Sequence, residues 1–222
     1  RVTALDLSAA SLAYASRMAD AFGVKTVRFL QGDILGLLEH PDFSGRFQVI
    51  ECTGVLHHMA DPLRGWRALK SCLSPEGLML IALYSELGRR TWISLRSDTA
   101  YPGEGCSDGA LRRFRHELLK RPDGAIDPRF KGLKDVYTTS GFRDLILHVN
   151  EHRFTLPQIA AFLSEEGLVF RGFYSADDFA RLAAAFPGET WPGDLDHWDR
   201  FERDNPGLFA GMYYFWCDRR PA

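Results

Sequence analysis

The sequence predicts an α/β protein built on a mostly parallel sheet with helices on both faces. Short β-branched or apolar runs alternate with segments of helical periodicity from residue 2 to residue 84, and this order requires crossover connections between parallel strands. The run at residues 78–84 is apolar almost throughout, as in a strand that is covered on both faces. With 222 residues and 45% apolar side chains, the chain can bury one such core. We therefore expect a doubly wound α/β domain.

The first half of the chain supplies the elements of that domain. Ser8 is placed to cap a helix whose apolar residues recur at helical spacing up to Phe22, and Gly23 is placed to end it. The predicted order is strand, helix, strand, strand, helix, turn and strand, at residues 2–7, 8–22, 26–30, 47–52, 62–73, 74–77 and 78–84.

The second half of the chain interrupts this pattern and then completes it. Residues 89–121 are charged and helical in character, and residues 122–134 are rich in Gly, Pro and charge, which indicates an insertion that carries a surface loop. Helices are expected next at residues 140–150 and 156–166, and Thr155 is placed to cap the second of them. Two late runs, at residues 168–174 and 209–217, predict an antiparallel pair of strands.

The composition excludes several classes of function. Because 27 basic and 29 acidic side chains leave a net charge of −2, the chain has no basic field that would hold a nucleic acid. No apolar run approaches the roughly 20 residues that a membrane helix needs. The four cysteines form no C-x-x-C pair, which argues against structural zinc and a disulfide framework. We expect a cytoplasmic protein with neither a nucleic-acid nor a membrane partner.

Polar residues follow three of the predicted strands, where ligands of open parallel sheets bind. Asp6 ends the first strand, where a carboxylate can accept hydrogen bonds from both hydroxyls of a ribose. Asp33 follows the second strand and can accept from an adenine amine, while Ile34 lines the face of the ring. Gly54 follows the third strand and lets the backbone approach a ligand. Together these residues fit a nucleoside, although each aspartate is equally suited to cap a helix or turn.

These motifs resemble those of the class I S-adenosylmethionine-dependent methyltransferases. The resemblance lies in Ala-Leu-Asp-Leu-Ser at residues 4–8, Gln-Gly-Asp-Ile at residues 31–34, and Gly-Val-Leu-His-His-Met-Ala-Asp-Pro at residues 54–62. It is closest to bacterial methyltransferases of unassigned substrate that follow a tetratricopeptide-repeat region, and it extends to residues 151–157 and 209–213. The resemblance implies a Rossmann-like fold with strand order 3-2-1-4-5-7-6, in which the last strand is antiparallel.

The resemblance also implies a cofactor and the residues that hold it. S-adenosylmethionine would bind and leave as S-adenosylhomocysteine. By this likeness Asp6 holds the ribose, Asp33 and Ile34 the adenine, and the turn at residues 51–54 the methionine part. The residues expected at the cofactor are Asp6, Leu7, Asp33, Ile34, Glu51, Thr53 and Gly54. The acceptor would be a small molecule or a protein side chain, because no Asn-Pro-Pro-Tyr element typical of nucleobase-amine methylation follows the third strand.

The family's first strand and Gly-x-Gly loop are not found in the sequence. They should precede Arg1, and no Gly-x-Gly-x-x-Gly run occurs anywhere in the chain. We therefore expect an upstream segment to provide them, with the tetratricopeptide-repeat region also upstream. Within the chain we expect the cofactor-binding half at residues 1–88, a helical cap over the active site at residues 89–154, and the completing helix and strands at residues 155–222.

Two histidines are the candidate catalytic residues, and four polar residues of the cap are the candidate substrate residues. His57 and His58 follow the third strand and could act as a base, or they could simply cap and pack the turn. The expected substrate-pocket residues on the cap are Tyr137, Arg143, His148 and His152. The alternative for that set is a solvated helix face held by salt bridges.

Three other functions are compatible with parts of the sequence. The missing glycine loop would suit a catalytically inactive binding or scaffold module. An acidic residue after the second strand also suits a nicotinamide-dependent oxidoreductase. Residues 148–152 read His-Val-Asn-Glu-His, the spelling found in inverted zinc peptidases, but no third ligand is evident and no metal is expected.

Overall fold

The computed structural model describes residues 1–148, 150–174, 180, 184, 187, 194–209 and 211–220, and it shows an α/β protein with two sheets. The first sheet is formed by β1 (Val2–Asp6) and β2 (Val27–Gln31), which are parallel and joined by α1 (Ala9–Ala21). The Ser8 side chain accepts a hydrogen bond from the Ser11 N–H and caps α1, as predicted. This unit is therefore a short β-α-β crossover.

The second sheet has four strands in the order β3-β4-β6-β5. Its strands are β3 (Phe47–Cys52), β4 (Leu73–Tyr84), β5 (Leu168–Phe173) and β6 (Met212–Arg219). β3 and β4 are parallel and are connected by α2 (Pro62–Cys72), whereas β6 runs antiparallel to both β4 and β5. Because β6 lies between β4 and β5, the late strand pair is part of the sheet and β5 is its edge.

The strand pairings confirm the predicted fold class. We take β1 to β6 as strands 2 to 7 of the order 3-2-1-4-5-7-6. That order then becomes β2-β1, one further strand, and β3-β4-β6-β5. Both observed sheets follow it. Within the described residues, β1 pairs only with β2, and β3 pairs only with β4. One edge of β1 and one edge of β3 therefore lack a strand partner in this part of the chain.

Several element boundaries differ from the sequence prediction. β4 begins at Leu73, but its register jumps from Leu73 opposite Phe47 to Leu78 opposite Val49, so the expected turn at residues 74–77 bulges out of the strand. The helix expected to reach residue 150 ends at Leu147. β6 begins at Met212 rather than at residue 209, and it extends to Arg219 because it pairs with β4 on one side and with β5 on the other.

Residues 92–147 form a second, smaller hydrophobic core. Its helices are α3 (Glu86–Ser94), α4 (Asp108–Lys120) and α5 (Thr139–Leu147), with short 3₁₀ turns between α4 and α5. Trp92, Phe114 and Phe142 are buried within it. The insertion thus contributes its own packed cluster, and the three domain boundaries drawn from the sequence remain predictions.

The main core lies on the four-stranded sheet. α6 (Leu156–Glu165), which begins with a capping box at Thr155, and α7 (Leu195–Asp204) pack there with α2. Trp66, Trp198 and Phe215 are among its fully buried side chains. None of the helices in the described ranges combines the length and the hydropathy needed to cross a membrane.

Candidate functional site

Asp6 and Asp33 lie at the same end of the β1-β2 sheet. In the parallel register Asp6 is opposite Gln31, and the Gly32 N–H donates to the Asp6 carbonyl at 3.1 Å. Asp33 follows one residue later. The two predicted nucleoside-binding carboxylates therefore occupy adjacent strand ends, where ligands of open parallel sheets bind.

Each of these carboxylates also fixes the turn in which it lies. Asp6 Oδ1 accepts from the Ser8 N–H at 2.7 Å, and Asp33 Oδ1 accepts from the Leu35 N–H at 2.9 Å. Within the described residues the second oxygen of each side chain accepts no hydrogen bond, and both residues are exposed. Each aspartate thus acts as a turn residue and still presents an oxygen to solvent.

The turn after β3 has free space around Gly54. Gly54 has a φ of +74°, which favours glycine, and a Cβ atom placed there would meet no atom within 4 Å. Glu51 is exposed and Thr53 is half-buried. Cys52 is buried, and burial raises the pKa of its thiol to about 12, so it is no nucleophile at neutral pH. The turn therefore offers backbone and oxygen atoms to a ligand.

His57 is fully buried directly after this turn. Its ring stacks on Tyr84 with centroids 3.8 Å apart, and neither ring nitrogen makes a hydrogen bond within the described residues. Burial, followed by the charge of His58, lowers the pKa of His57 to about 3, although the nearby Ala82 carbonyl opposes the shift. His57 is therefore a neutral packing residue at neutral pH.

His58 is only half-buried and contacts the insertion. Its Nδ1 lies 2.9 Å from the Asn150 carbonyl oxygen, and its ring stacks on His148 with centroids 3.6 Å apart. Burial and the neighbouring His148 lower its pKa, and the Asn150 carbonyl partly opposes them. Of the two predicted catalytic histidines, only His58 is positioned to meet a ligand.

A buried ion pair fixes the segment that follows α5. The side chains of Arg89 and Glu151 are 2% and 3% exposed and lie 2.7 Å apart, and Arg96 reaches the same carboxylate at 3.1 Å. Burial alone would raise the pKa of Glu151, but the hydrogen bonds and charge of Arg89 outweigh it and hold the pKa below its ordinary value. The guanidinium of Arg89 also lies 4.2 Å above the Tyr84 ring. Sequence reasoning missed this cluster because Arg89 and Glu151 are 62 positions apart.

A family model described as "Methyltransferase domain" matches residues 1–120 of the chain. The match covers more than half of the sequence and includes β1 to β4 with the turns that hold Asp6, Asp33 and Gly54. The chain belongs to this methyltransferase family. The family membership agrees with the strand order and with the polar strand ends described above.

Curated relatives of this methyltransferase domain match shorter segments. An uncharacterized protein of Synechococcus sp. is 43% identical over 89 residues, which are 40% of this chain and 21% of that protein. A ubiquinone biosynthesis O-methyltransferase of Marinobacter nauticus is 35% identical over 81 residues, 36% of this chain and 34% of that enzyme. The matches therefore span well under half the length of these relatives.

Solved structures show the same fold at low sequence identity. PKMT2 from Rickettsia typhi, in complex with AdoHcy, has a TM-score of 0.66 at 14% identity and covers 98% of this chain and 44% of that chain. The [4+2]-cyclase SpnF has a TM-score of 0.50 at 14% identity and covers 100% of this chain and 67% of that chain. Because one similar fold is a cyclase, the fold alone does not decide the reaction.

The predicted substrate residues are dispersed over the insertion of the methyltransferase domain. His148 contacts His58, and the His152 N–H donates to the His57 carbonyl at 2.8 Å. Tyr137 instead lines an open groove of about 420 Å³ together with three arginines of α4. Arg143 pairs with Asp108 at 2.8 Å. The contacts thus place His148 and His152 beside the turn that carries His57 and His58. They do not place Tyr137 or Arg143 there.

The zinc-peptidase motif at residues 148–152 does not place its two histidines on one face of a helix. α5 ends at Leu147, and His148 and residues 150–152 lie outside any helix, so His148 and His152 are not one helical turn apart on a helix face. Among the described residues no three His, Cys, Asp or Glu side chains cluster as metal ligands. The metallopeptidase alternative therefore lacks the geometry that its motif requires.

A second buried carboxylate lies beyond the end of β4. Ser85 Oγ donates to Glu202 at 2.5 Å, and the Tyr213 hydroxyl donates to the other oxygen at 2.7 Å. Burial raises the pKa of Glu202, and these two hydrogen bonds only partly oppose the shift. Sequence reasoning missed Glu202, although its position seven residues after Leu195, on the buried face of α7, could have revealed it.

Proposed function

We propose that this domain transfers a methyl group from S-adenosylmethionine to a small-molecule or protein acceptor. The observation that carries the proposal is the β1-β2 register, which brings Asp6 and Asp33 to adjacent strand ends with one carboxylate oxygen of each available. Family membership and the AdoHcy found in the similar Rickettsia typhi structure support it. Asp6 would accept from the ribose hydroxyls and Asp33 from the adenine amine.

The remaining cofactor contacts would come from neighbouring turns. Ile34, half-buried against the main core, would cover the adenine ring, and Leu7 would lie beside the ribose. The turn at residues 51–54 would receive the methionine part, because Gly54 leaves the approach clear and Glu51 is an exposed carboxylate. When bound, the cofactor supplies an electrophilic methyl group. The task of the protein is to hold donor and acceptor in line.

We extend the proposal to an upstream segment that inserts one strand between β1 and β3. Both strands have an edge without a strand partner in the described residues, and Val49 on β3 and Val2 on β1 are 59% and 56% exposed. A strand placed there would complete the order implied by the family and bring a glycine loop to the cofactor. A tetratricopeptide-repeat region further upstream belongs to the same proposal and rests on the resemblance alone.

A catalytically inactive binding module is the second candidate. It is favoured by the capping contacts of Asp6 and Asp33, since both turns are already explained without a ligand. The two candidates differ in whether S-adenosylhomocysteine binds.

Calorimetry on the full-length protein with S-adenosylhomocysteine tests the proposal. We expect measurable heat, a rise in melting temperature, and no competition from nicotinamide dinucleotide. Absence of both heat and thermal shift would favour the inactive module, and competition by the dinucleotide would favour an oxidoreductase.

A pair of glycine variants provides the matched control. Gly54 and Gly45 both have positive φ, +74° and +61°, with no atom within 4 Å of an added Cβ, so valine strains the backbone of both turns to a similar degree. We expect Gly54→Val to weaken S-adenosylhomocysteine binding at least tenfold and Gly45→Val to leave it unchanged. Equal effects of the two variants would remove Gly54 from the cofactor site.

A further inference from the structure

The contacts of His58 determine which ring nitrogen carries its proton. A carbonyl oxygen can only accept a hydrogen bond, so the 2.9 Å contact with the Asn150 carbonyl requires a proton on Nδ1. In the neutral imidazole the other nitrogen, Nε2, then has a free lone pair. Nε2 is neither buried nor hydrogen-bonded within the described residues. His58 therefore presents an unprotonated nitrogen to whatever enters the site.

Neighbouring rings fix the plane of His58. His148 stacks on one side at 3.6 Å, and the His57 ring meets it edge-on with centroids 4.3 Å apart. Tyr84 also meets it edge-on at 5.4 Å. The direction of Nε2 is thus held by packing rather than by a hydrogen bond to that atom.

The Glu151 ion pair holds the carbonyl that selects this tautomer. Glu151 follows Asn150 directly and is bound by Arg89 and Arg96. Downstream, the Phe154 N–H donates to the Tyr84 carbonyl at 2.8 Å. Because the segment is anchored at Glu151 and again at Phe154, the Asn150 carbonyl has a fixed position beneath His58.

The charges around His58 suit a group that starts neutral and gains a proton. Burial lowers the pKa of His57 to about 3 and raises the pKa of Tyr84, so neither neighbour is charged at neutral pH. Burial and the neighbouring His148 lower the pKa of His58. Asp144 on α5 and Glu151 are the carboxylates that act on it in the opposite sense. They would stabilise the imidazolium once it forms.

The geometry points to His58 Nε2 as the proton acceptor of the transfer reaction and to a phenolic hydroxyl as the group that is methylated. This inference rests on the proposed function. Because burial lowers the pKa of His58, its imidazole is a weak base that can take a proton only from a fairly acidic group. A phenol, with a pKa of about 10, meets this need far better than an aliphatic alcohol does. Glu151 is a positioning residue that acts through the Asn150 carbonyl.

The proposed step balances in atoms and charge. An oxygen lone pair of the phenol forms the O–CH₃ bond, and the sulfonium S–CH₃ bond breaks with its electron pair left on sulfur as a neutral thioether. The hydroxyl proton passes to His58 Nε2, and the imidazolium later releases it to solvent.

Nuclear magnetic resonance of the ring nitrogens tests the base without any acceptor. In full-length protein with ¹⁵N-labelled histidine, the signals lost in His58→Gln identify His58. At pH 7 we expect neutral His58 with Nδ1 protonated, the tautomer opposite to the one that free imidazole side chains favour. An Nε2-protonated ring or an imidazolium at pH 7 would overturn the inference.

Glu151→Gln tests the positioning role, with Glu86→Gln as the matched control. Glu86 pairs with Arg153 at 2.8 Å, but its side chain is 31% exposed and does not adjoin Asn150. We expect Glu151→Gln to give a mixture of tautomers at His58, and Glu86→Gln to keep the wild-type one. If Glu151→Gln does not fold, the tautomer of His58 is measured in Arg96→Lys instead. An unchanged tautomer in a folded variant contradicts the positioning role.

Turnover separates the failure of this inference from the failure of the proposed function. With S-adenosylmethionine and catechol as the probe phenol, we expect S-adenosylhomocysteine release, a loss of about 10²- to 10⁴-fold in His58→Gln, and an unchanged Kd for S-adenosylhomocysteine. Equal turnover in His58→Gln, or no turnover of catechol and other phenols by wild type that binds the cofactor, contradicts the inference alone. Failure of wild type to bind S-adenosylhomocysteine contradicts the proposed function.

Discussion

The β1-α1-β2 unit and the four-stranded sheet are built from similar strand and helix sequences but differ sharply in burial. No side chain of β1, α1 or β2 is buried, and Leu7 and Phe22 are 68% and 76% exposed. On the four-stranded sheet, Trp66 and Phe215 are at most 1% exposed. Both regions form their strands and helices, but only the four-stranded sheet packs into a hydrophobic core.

The difference separates local from non-local causes of structure. Ser8 caps α1, and the β-branched and aromatic residues at positions 26–30 favour a strand, so these elements need few distant contacts. A pair of strands with no further partner is at best marginally stable in water. The residues that hold the proposed nucleoside thus lie in the part of the domain that depends most on completing the sheet.

Hydrogen exchange should show the largest contrast between the two regions. We expect amides of β4 and β6 to exchange only through global unfolding, at about 5 to 15 kcal/mol. Amides of β1 and β2 should exchange through much smaller openings in the 222-residue chain, and their protection should rise if the proposed upstream strand is present. Equal protection of both sheets in the isolated chain would contradict the comparison.

A matched pair of phenylalanine variants should show the next largest contrast. Phe215 is fully buried in β6, whereas Phe29 in β2 is only half-buried. We expect Phe215→Ala to lower the free energy of unfolding by about 3 to 5 kcal/mol and Phe29→Ala by roughly 1 kcal/mol. Urea unfolding followed by tryptophan fluorescence measures both, and similar losses would show that β2 is packed as tightly as β6.

Removing the Glu151 carboxylate should destabilise the insertion. Glu151→Ala leaves Arg89 buried without its partner, which costs about 3 to 5 kcal/mol, whereas Glu165→Ala removes a carboxylate that is 65% exposed and should cost little. Because the pKa of Glu151 is held below its ordinary value of 4.5, its contribution is present above that pH and lost as the pH falls through the folded-state pKa. Thermal melts between pH 3 and 7 measure both effects, and a variant as stable as wild type at pH 7 would rule out the ion pair as a structural anchor.

The sequence was sufficient for features set by neighbouring residues. Asp6 and Asp33 could be placed together because each lies at the carboxyl end of a strand, and neighbouring parallel strands have their carboxyl ends at the same edge of the sheet. The end of α5 at Leu147, the bulge before Leu78 and the Arg89–Glu151 pair depend on contacts between distant segments. No local pattern specifies those contacts, so the part of the candidate site contributed by the insertion was the part least predictable.

A change at Glu202 should have the smallest effect on stability, and the pH dependence of this effect should be opposite to that of Glu151. Its pKa is raised by burial, so the stabilisation is present below its ordinary value of 4.5 and is lost as the pH rises through the raised pKa. Glu202→Gln, which resembles the protonated form, should become more stable than wild type by about 1 to 3 kcal/mol on the alkaline side, or roughly 2 to 4 °C per kcal/mol. The exposed Glu165→Gln is the control, and a pH-independent difference would show that Glu202 keeps its ordinary pKa.

The most direct test of the nucleoside site pairs a side chain with the ligand group it should hold. Calorimetry would compare S-adenosylhomocysteine with its 2′,3′-dideoxy analogue in full-length wild type, Asp6→Asn and Asp33→Asn. A hydrogen bond to a charged group contributes about 1.5 to 3 kcal/mol, so we expect Asp6→Asn to weaken the natural ligand by about 10- to 150-fold and the dideoxy ligand hardly at all, while Asp33→Asn weakens both alike. If Asp6→Asn reduced both affinities equally, or neither, the assignment of the ribose to Asp6 would be wrong.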